Sequence, residues 1–202
     1  GDISSAAFWL VAGLCHPNAR ILVQGVGLNP SRTGIIEALQ AMGAGEGLTL
    51  VAERTEGGEP VADILVTSCE LTGIDVGGDI IPRIIDELPV LAVAACFARG
   101  TTVIRDAREL RVKESDRIAT TVSQLALLGA RIEAREDGMV IHGTGHLTGA
   151  PCQSHGDHRL AMSLGVAGLL ARGETTIHDA EAASVSYPDC WPHLGHLGGQ
   201  DL

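Results

Sequence analysis

Gly156-Asp157-His158-Arg159, followed by LAMSLGVAGLLA (residues 160–171) and TTIHDA (175–180), is one copy of a plan that the chain repeats. The plan is an acidic residue at a helix start, an apolar helix, a short turn and a strand rich in β-branched residues. It stands also at Gly1-Asp2-Ile3-Ser4-Ser5, AAFWLVAGL (6–14) and RILVQGV (20–26). A third copy is Ile85-Asp86-Glu87, LPVLAVAACFA (88–98) and TTVIRDA (101–107). None of the apolar segments has a polar face, and a helix that is apolar all round is buried on all sides. At about 11 residues each they fall short of the roughly 20 that a membrane span needs. The sequence therefore predicts three central helices packed on one another, with Ala94, Ala95, Gly165 and Gly168 permitting close contact.

Outward from these helices, two copies continue with a second, amphipathic helix, GIIEALQAMGA from Gly34 and RIATTVSQLALLGA from Arg117. Both end on a Gly-Ala stop. Strand candidates follow: LTLVAE (48–53) with ADILVTS (62–68), and RIEARE (131–136) with GMVIHG (138–143). Asp137-Gly138 between the latter two is a hairpin signal. A further short strand leads into each next copy. The units run about 1–75, 76–150 and 151–202, and the expected fold is α/β with helices inside and sheets outside. The third copy stops soon after Tyr187-Pro188-Asp189, with HLGHLGGQDL (193–202) in place of a strand pair, and the first lacks a lead-in strand. Unpaired sheet edges are the expected consequence.

Composition agrees with such a core. Hydrophobic residues are 45% of the 202, aromatics 2%, so Ala, Val, Leu and Ile must do the packing. The formal net charge of -11 argues against nucleic acid, whose binders carry a basic footprint, and against an anionic membrane surface. No signal-peptide pattern is visible, and five cysteines without a CxxC read as free thiols of a cytoplasmic protein. His142, His146, His155 and His158 lie near one another in sequence, but no Cys partner or HExxH accompanies them, so no metal is expected.

Against the acidic background, RDARELRVKESDR (105–117) collects Arg105, Arg108, Arg111, Lys113 and Arg117, five of the 14 basic residues. It reads either as a solvated loop before a helix capped by Ser115 or Asp116, or as an anion site. Arg159 lies in the first turn of a buried helix, where a cation opposes the dipole. That position calls for a bound anion or for an ion pair with Asp157 or another carboxylate. Asp86 at the second buried helix is, by its position, a capping carboxylate.

GDISSAAF, NPSRTG, IIDELPVLAVAA, ELRVKESDR, HGDHRLAMSLGVAGL and SYPDCW occur in this order between Gly1 and Trp191. Together they resemble the C-terminal half of the 5-enolpyruvylshikimate-3-phosphate synthase family. The resemblance implies two similar domains of βαβαββ units around buried helices, an inside-out α/β fold of the enolpyruvyl transferase type. It implies transfer of the enolpyruvyl group of phosphoenolpyruvate to shikimate 3-phosphate, with phosphate released, in aromatic amino acid biosynthesis and without a cofactor. Asp86 then matches the acceptor of the hydroxyl proton and Glu114 the group that protonates the methylene carbon. Lys113 matches a lysine beside the shikimate hydroxyl, Arg117 and Arg159 match arginines that hold phosphoenolpyruvate, and His158 joins the substrate-binding set. Planar guanidinium forks suit a substrate bearing both phosphate and carboxylate. Val185 stands where the family often has a lysine. The partner is an N-terminal half that supplies the rest of the clamp, and the isolated chain is expected to be inactive. A transferase acting on UDP-N-acetylglucosamine and a non-catalytic, self-assembling fragment are the alternatives.

Overall fold

The computed structural model describes residues 1–198. Three helices, α1 (Ile3–Cys15), α3 (Leu88–Phe97) and α5 (His158–Leu170), pack against one another at the centre, as the absence of a polar face requires. Ala92 to Ala95 of α3 are completely buried. The two glycines have a different use from the one expected. A Cβ on Gly165 would lie 2.6 Å from the Trp191 ring, and one on Gly168 3.0 Å from Thr175. They admit α6 (Cys190–Gly198) and the turn after α5 rather than another central helix.

The sheets lie outside. The first is β1-β3-β2, from β1 (Arg20–Gly27), β2 (Leu48–Glu56) and β3 (Glu59–Thr67), wholly antiparallel. Gly57 and Gly58, both at positive φ, make the two-residue hairpin turn that matches strand twist. The second sheet is β4-β5-β7-β6: β4 (Asp75–Val76), β5 (Thr101–Ile104), β6 (Arg131–Arg135) and β7 (Gly138–His142). Here the hairpin turn is Glu136-Asp137, since Arg135 pairs with Gly138. Gly138 opens β7 instead of sitting in the turn, because a Cβ there would lie 1.9 Å from the Ile104 carbonyl oxygen.

The third sheet has β8 (Pro151–Gln153) parallel to β9 (Thr176–His178), and among the described residues no further strand joins it. In the second sheet β5 has β4 on one side and β7 on the other, so β9 lacks the neighbour that β5 has. That is the open edge which the broken repeat foretold.

The outer helices α2 (Gly34–Ala41) and α4 (Arg117–Leu127) end as expected. Gly43 and Gly129 take positive φ, and Ala44 and Ala130 N–H reach back to Leu39 and Leu125. Asp116, not Ser115, caps α4 by accepting from Ala119 N–H at 3.0 Å. A junction not read from the sequence lies just before β4 and again just before β8. Leu71-Thr72-Gly73 and Leu147-Thr148-Gly149 each lay a buried leucine inward and bridge to Arg99 or Arg172 just beyond a central helix. All five cysteines are free thiols, and burial pushes Cys96 up to about 12 and Cys190 up to about 11.

Candidate active site

The amino-terminal ends of α1, α3 and α5 meet. Ser4 of α1 donates its hydroxyl to Glu87 at the start of α3, and Glu87 faces Arg159 in the first turn of α5. Converging helix N-termini create positive potential, which suits anions. Asp2 and Asp157 answer it as caps, accepting from Ser5 N–H and from Arg159 and Leu160 N–H. Asp86 does not cap. A single 3-10 turn, Ile85–Glu87, precedes α3 and turns the Asp86 carboxylate away toward α4 and α5.

Arg117, at the first position of α4, is 1% exposed. Its Nε donates to Asp157 Oδ2 at 2.8 Å, Nη1 to Asp86 Oδ1 at 3.0 Å and Nη2 to Glu114 Oε2 at 2.6 Å. Nη2 also reaches Asp157 Oδ1 at 3.3 Å. One buried cation thus gathers three carboxylates. Asp157 is fully buried, and Ser115 adds a hydrogen bond at 2.9 Å. Burial pushes the Asp157 carboxyl up, but Arg117, Ser115 and the Leu160 N–H outweigh it and hold the group below the usual range. Lys113 reaches Glu109 at 2.7 Å and stands 3.9 Å from Asp86. The cation in contact with Glu114 is therefore Arg117, not its sequence neighbour Lys113.

Arg159 is the contrasting case. Of the ion pairs anticipated for it, the one with Asp157 is absent, since Arg117 occupies that carboxylate, and Arg159 is loosely paired with two other carboxylates instead. Its Nη2 lies 4.0 Å from Asp86 Oδ2 and its Nη1 3.8 Å from Glu87 Oε1, too far for hydrogen bonds. Its Nε is buried without a partner. Beside it, His158 is half-buried, and burial followed by the Arg159 charge lowers its pKa.

So Asp86, Lys113, Glu114, Arg117 and Arg159 come together, with His158 adjoining. The other basic residues of 105–117 do not join them: Arg105 pairs with Asp75 and Asp106, Arg108 with Glu136, Arg111 with Asp116. Val185 ends a 3-10 turn, 78% exposed. Sequence reasoning missed the structural part of Asp157, and it missed Glu87, Ser4 and Arg32, whose Nη2 donates to the Ser4 hydroxyl at 2.9 Å. A polar residue opening an otherwise apolar buried helix was the available signal for the first three. A cavity of about 230 Å³ lies elsewhere, at the far end of α1, lined by Trp9, His16, Arg20 and Leu169 among others, remote from these charges.

Buried helices at the centre, sheets outside and a charged cluster at the helix N-termini define an inside-out α/β domain of the enolpyruvyl transferase type. The family profile of EPSP synthase (3-phosphoshikimate 1-carboxyvinyltransferase) matches residues 1–194, and the chain belongs to that family. The 3-phosphoshikimate 1-carboxyvinyltransferase of Herpetosiphon aurantiacus is 58% identical over 197 residues, 98% of this chain and 45% of the relative. That of Synechococcus elongatus is 59% identical over 199 residues, 98% of this chain and 44% of the relative. The solved EPSP synthase of Acinetobacter baumannii superposes with a TM-score of 0.91 at 44% identity, covering 96% of this chain and 45% of that one. The enolpyruvyl transferase NikO of Streptomyces tendae shares the fold, with a TM-score of 0.73 at 19% identity over 97% of this chain and 42% of that one. The chain spans about half the length of the curated relatives it matches.

Proposed function

We propose that this chain is one domain, in three units of about 1–75, 76–150 and 151–202, of an enzyme that transfers the enolpyruvyl group of phosphoenolpyruvate to shikimate 3-phosphate. The state of Arg159 carries the reading: a guanidinium loosely paired with two carboxylates beyond hydrogen-bonding distance, and with an unpartnered Nε, has donors to give to an anion. Lys113 and His158 lie beside the same charges, and the second half of the enzyme supplies the remaining contacts to both substrates. The family membership of the chain favours shikimate 3-phosphate over a nucleotide sugar as acceptor.

In this reading Asp86 takes the proton of the attacking hydroxyl while Glu114 delivers one to the methylene carbon, so a tetrahedral centre forms with the C–O bond. Phosphate then leaves and a methyl proton returns to a carboxylate, restoring the double bond. A pair of carboxylates in opposite protonation states suits both steps. Arg117 organises the pair by holding Asp86 and Glu114 on one guanidinium. Glu114 is half exposed, so its contact with Arg117 is the one that opens when phosphoenolpyruvate enters. The biosynthetic reaction proposed for it suits a cytoplasmic enzyme. Among the described residues no helix is long and apolar enough to cross a membrane.

The test is phosphate release by this chain combined with the complementary half of a family member. Release is expected to require shikimate 3-phosphate and to fall at least about 100-fold in Asp86→Asn or Glu114→Gln, the lower range for acid–base groups. Release at a normal rate by the chain alone, or UDP-N-acetylglucosamine serving as acceptor, would refute the assignment.

A further inference from the structure

Glu87 is the most deeply buried carboxylate after Asp157, 2% exposed, and the proton transfers above make no use of it. It stands where the three central helices begin. Ser4 of α1 donates its hydroxyl to Glu87 Oε1, and Arg32, from the loop before α2, donates Nη2 to the same hydroxyl oxygen at 2.9 Å. On its other side Oε1 lies 3.8 Å from Nη1 of Arg159. A buried charge of this kind is kept at a cost unless paired. Here the pairing is divided: a hydroxyl donates the hydrogen bond, and two arginines supply charge without a direct contact. Ser4 matters because its donation fixes the carboxylate where it attracts Arg159 yet stops short of capturing it. Asp86 pulls from the other side at 4.0 Å. Without a counter-pull the Arg159 guanidinium would swing onto Asp86, as Arg117 already does at 3.0 Å. That would consume its donors and cover the carboxylate assigned as base.

We propose that Glu87, set by Ser4 and Arg32, is a positioning residue that holds Arg159 between two carboxylates with its donors free for the substrate anion. The proposal rests on Arg159 as the phosphoenolpyruvate-binding group. It makes an unusual demand on Glu87→Gln, which keeps the shape and an oxygen for Ser4 but removes the charge. Simple electrostatics says that deleting a negative charge beside an anion site tightens anion binding. The positioning role says the reverse.

The experiment measures KM for phosphoenolpyruvate and kcat in the two-half enzyme for Glu87→Gln, Ser4→Ala, Arg159→Ala and the double variant Glu87→Gln/Arg159→Ala. Misplacing a binding group by about an ångström costs up to about 100-fold, so Glu87→Gln is expected to raise KM on the order of tenfold or more. Ser4→Ala is expected to move KM the same way by less. The double variant should bind no worse than Arg159→Ala alone, a non-additivity that a general loss of packing would not produce. An unchanged or lowered KM in Glu87→Gln, or fully additive losses, overturns the proposal. If Arg159→Ala itself leaves KM unchanged, the assignment of Arg159 to phosphoenolpyruvate fails, and this inference with it. A normal loss in Arg159→Ala with none in Glu87→Gln sinks this inference alone.

Discussion

At the residue scale, two buried carboxylates at the same helix ends have opposite pH linkage. Asp157 is held below the usual range by Arg117. Its contribution to stability is therefore present above its unfolded pKa of about 3.9 and is lost as the pH falls through the lower folded value. In Asp157→Asn the loss of thermal stability on acidification below about pH 4 is expected to be shallower than in the parent. Removing the cation is harsher: Arg117→Met leaves Asp157 buried without its counter-charge and is expected to cost about 3–5 kcal/mol by denaturant titration. Burial pushes the Glu87 carboxyl up, ahead of Ser4 and Arg159, which oppose it. Its contribution is complete below an unfolded value of about 4.3 and is lost as the pH rises through the folded one. Glu87→Gln is therefore expected to have a melting temperature at pH 7 no lower than the parent. A markedly lower one would mean that the charge stabilises the helix junction.

At the element scale, close backbone approach decides more than turn propensity does. Gly138 was legible as half of a hairpin signal, yet the structure uses it where β7 passes the end of β5, with the Ile104 carbonyl 1.9 Å from where a Cβ would stand. Gly138→Ala must push those strands apart, and overpacking of this kind costs about 1–3 kcal/mol or more. The expected result is a lower denaturant midpoint with an unchanged m-value; an unaffected midpoint would mean that the strands give way freely. The first sheet shows another such device. Asp63 on β3 accepts from Gly25 N–H at 2.8 Å and from Arg54 at 3.0 Å, and both flanking strands shift register opposite this stretch. One carboxylate thus ties together irregularities in two strands, which no two-residue periodicity discloses.

At the scale of the whole molecule, the third sheet and the site tell the same story. β9 has a neighbour on one side only among the described residues, while β5 has two. Amide exchange at Thr176–His178 is expected to be faster than at Thr102–Ile104 in the isolated chain, and to slow when the complementary half is added. Equal protection in the isolated chain would mean that the edge is already covered. Sedimentation of the chain alone then tells whether a second copy covers it.

Periodicity and composition were enough for the architecture. A segment apolar on every side has no orientation that exposes it, so three of them dictate a helical centre and push the sheets outward. The repeat likewise led to the expectation of an open edge on the third sheet, where among the described residues β9 has a neighbour on one side only. The cluster of Asp86, Glu114, Arg117 and Arg159 was legible through motifs. Which of its arginines is open was not. Arg117 and Arg159 look alike in sequence, each within two residues of an aspartate at a helix start. Only the packing of α4 against α5 gives Asp157 to Arg117 and leaves Arg159 between Asp86 and Glu87. Charge pairing depends on distances of an ångström between residues 31 to 73 positions apart, and those distances exist only once the three helix ends have met.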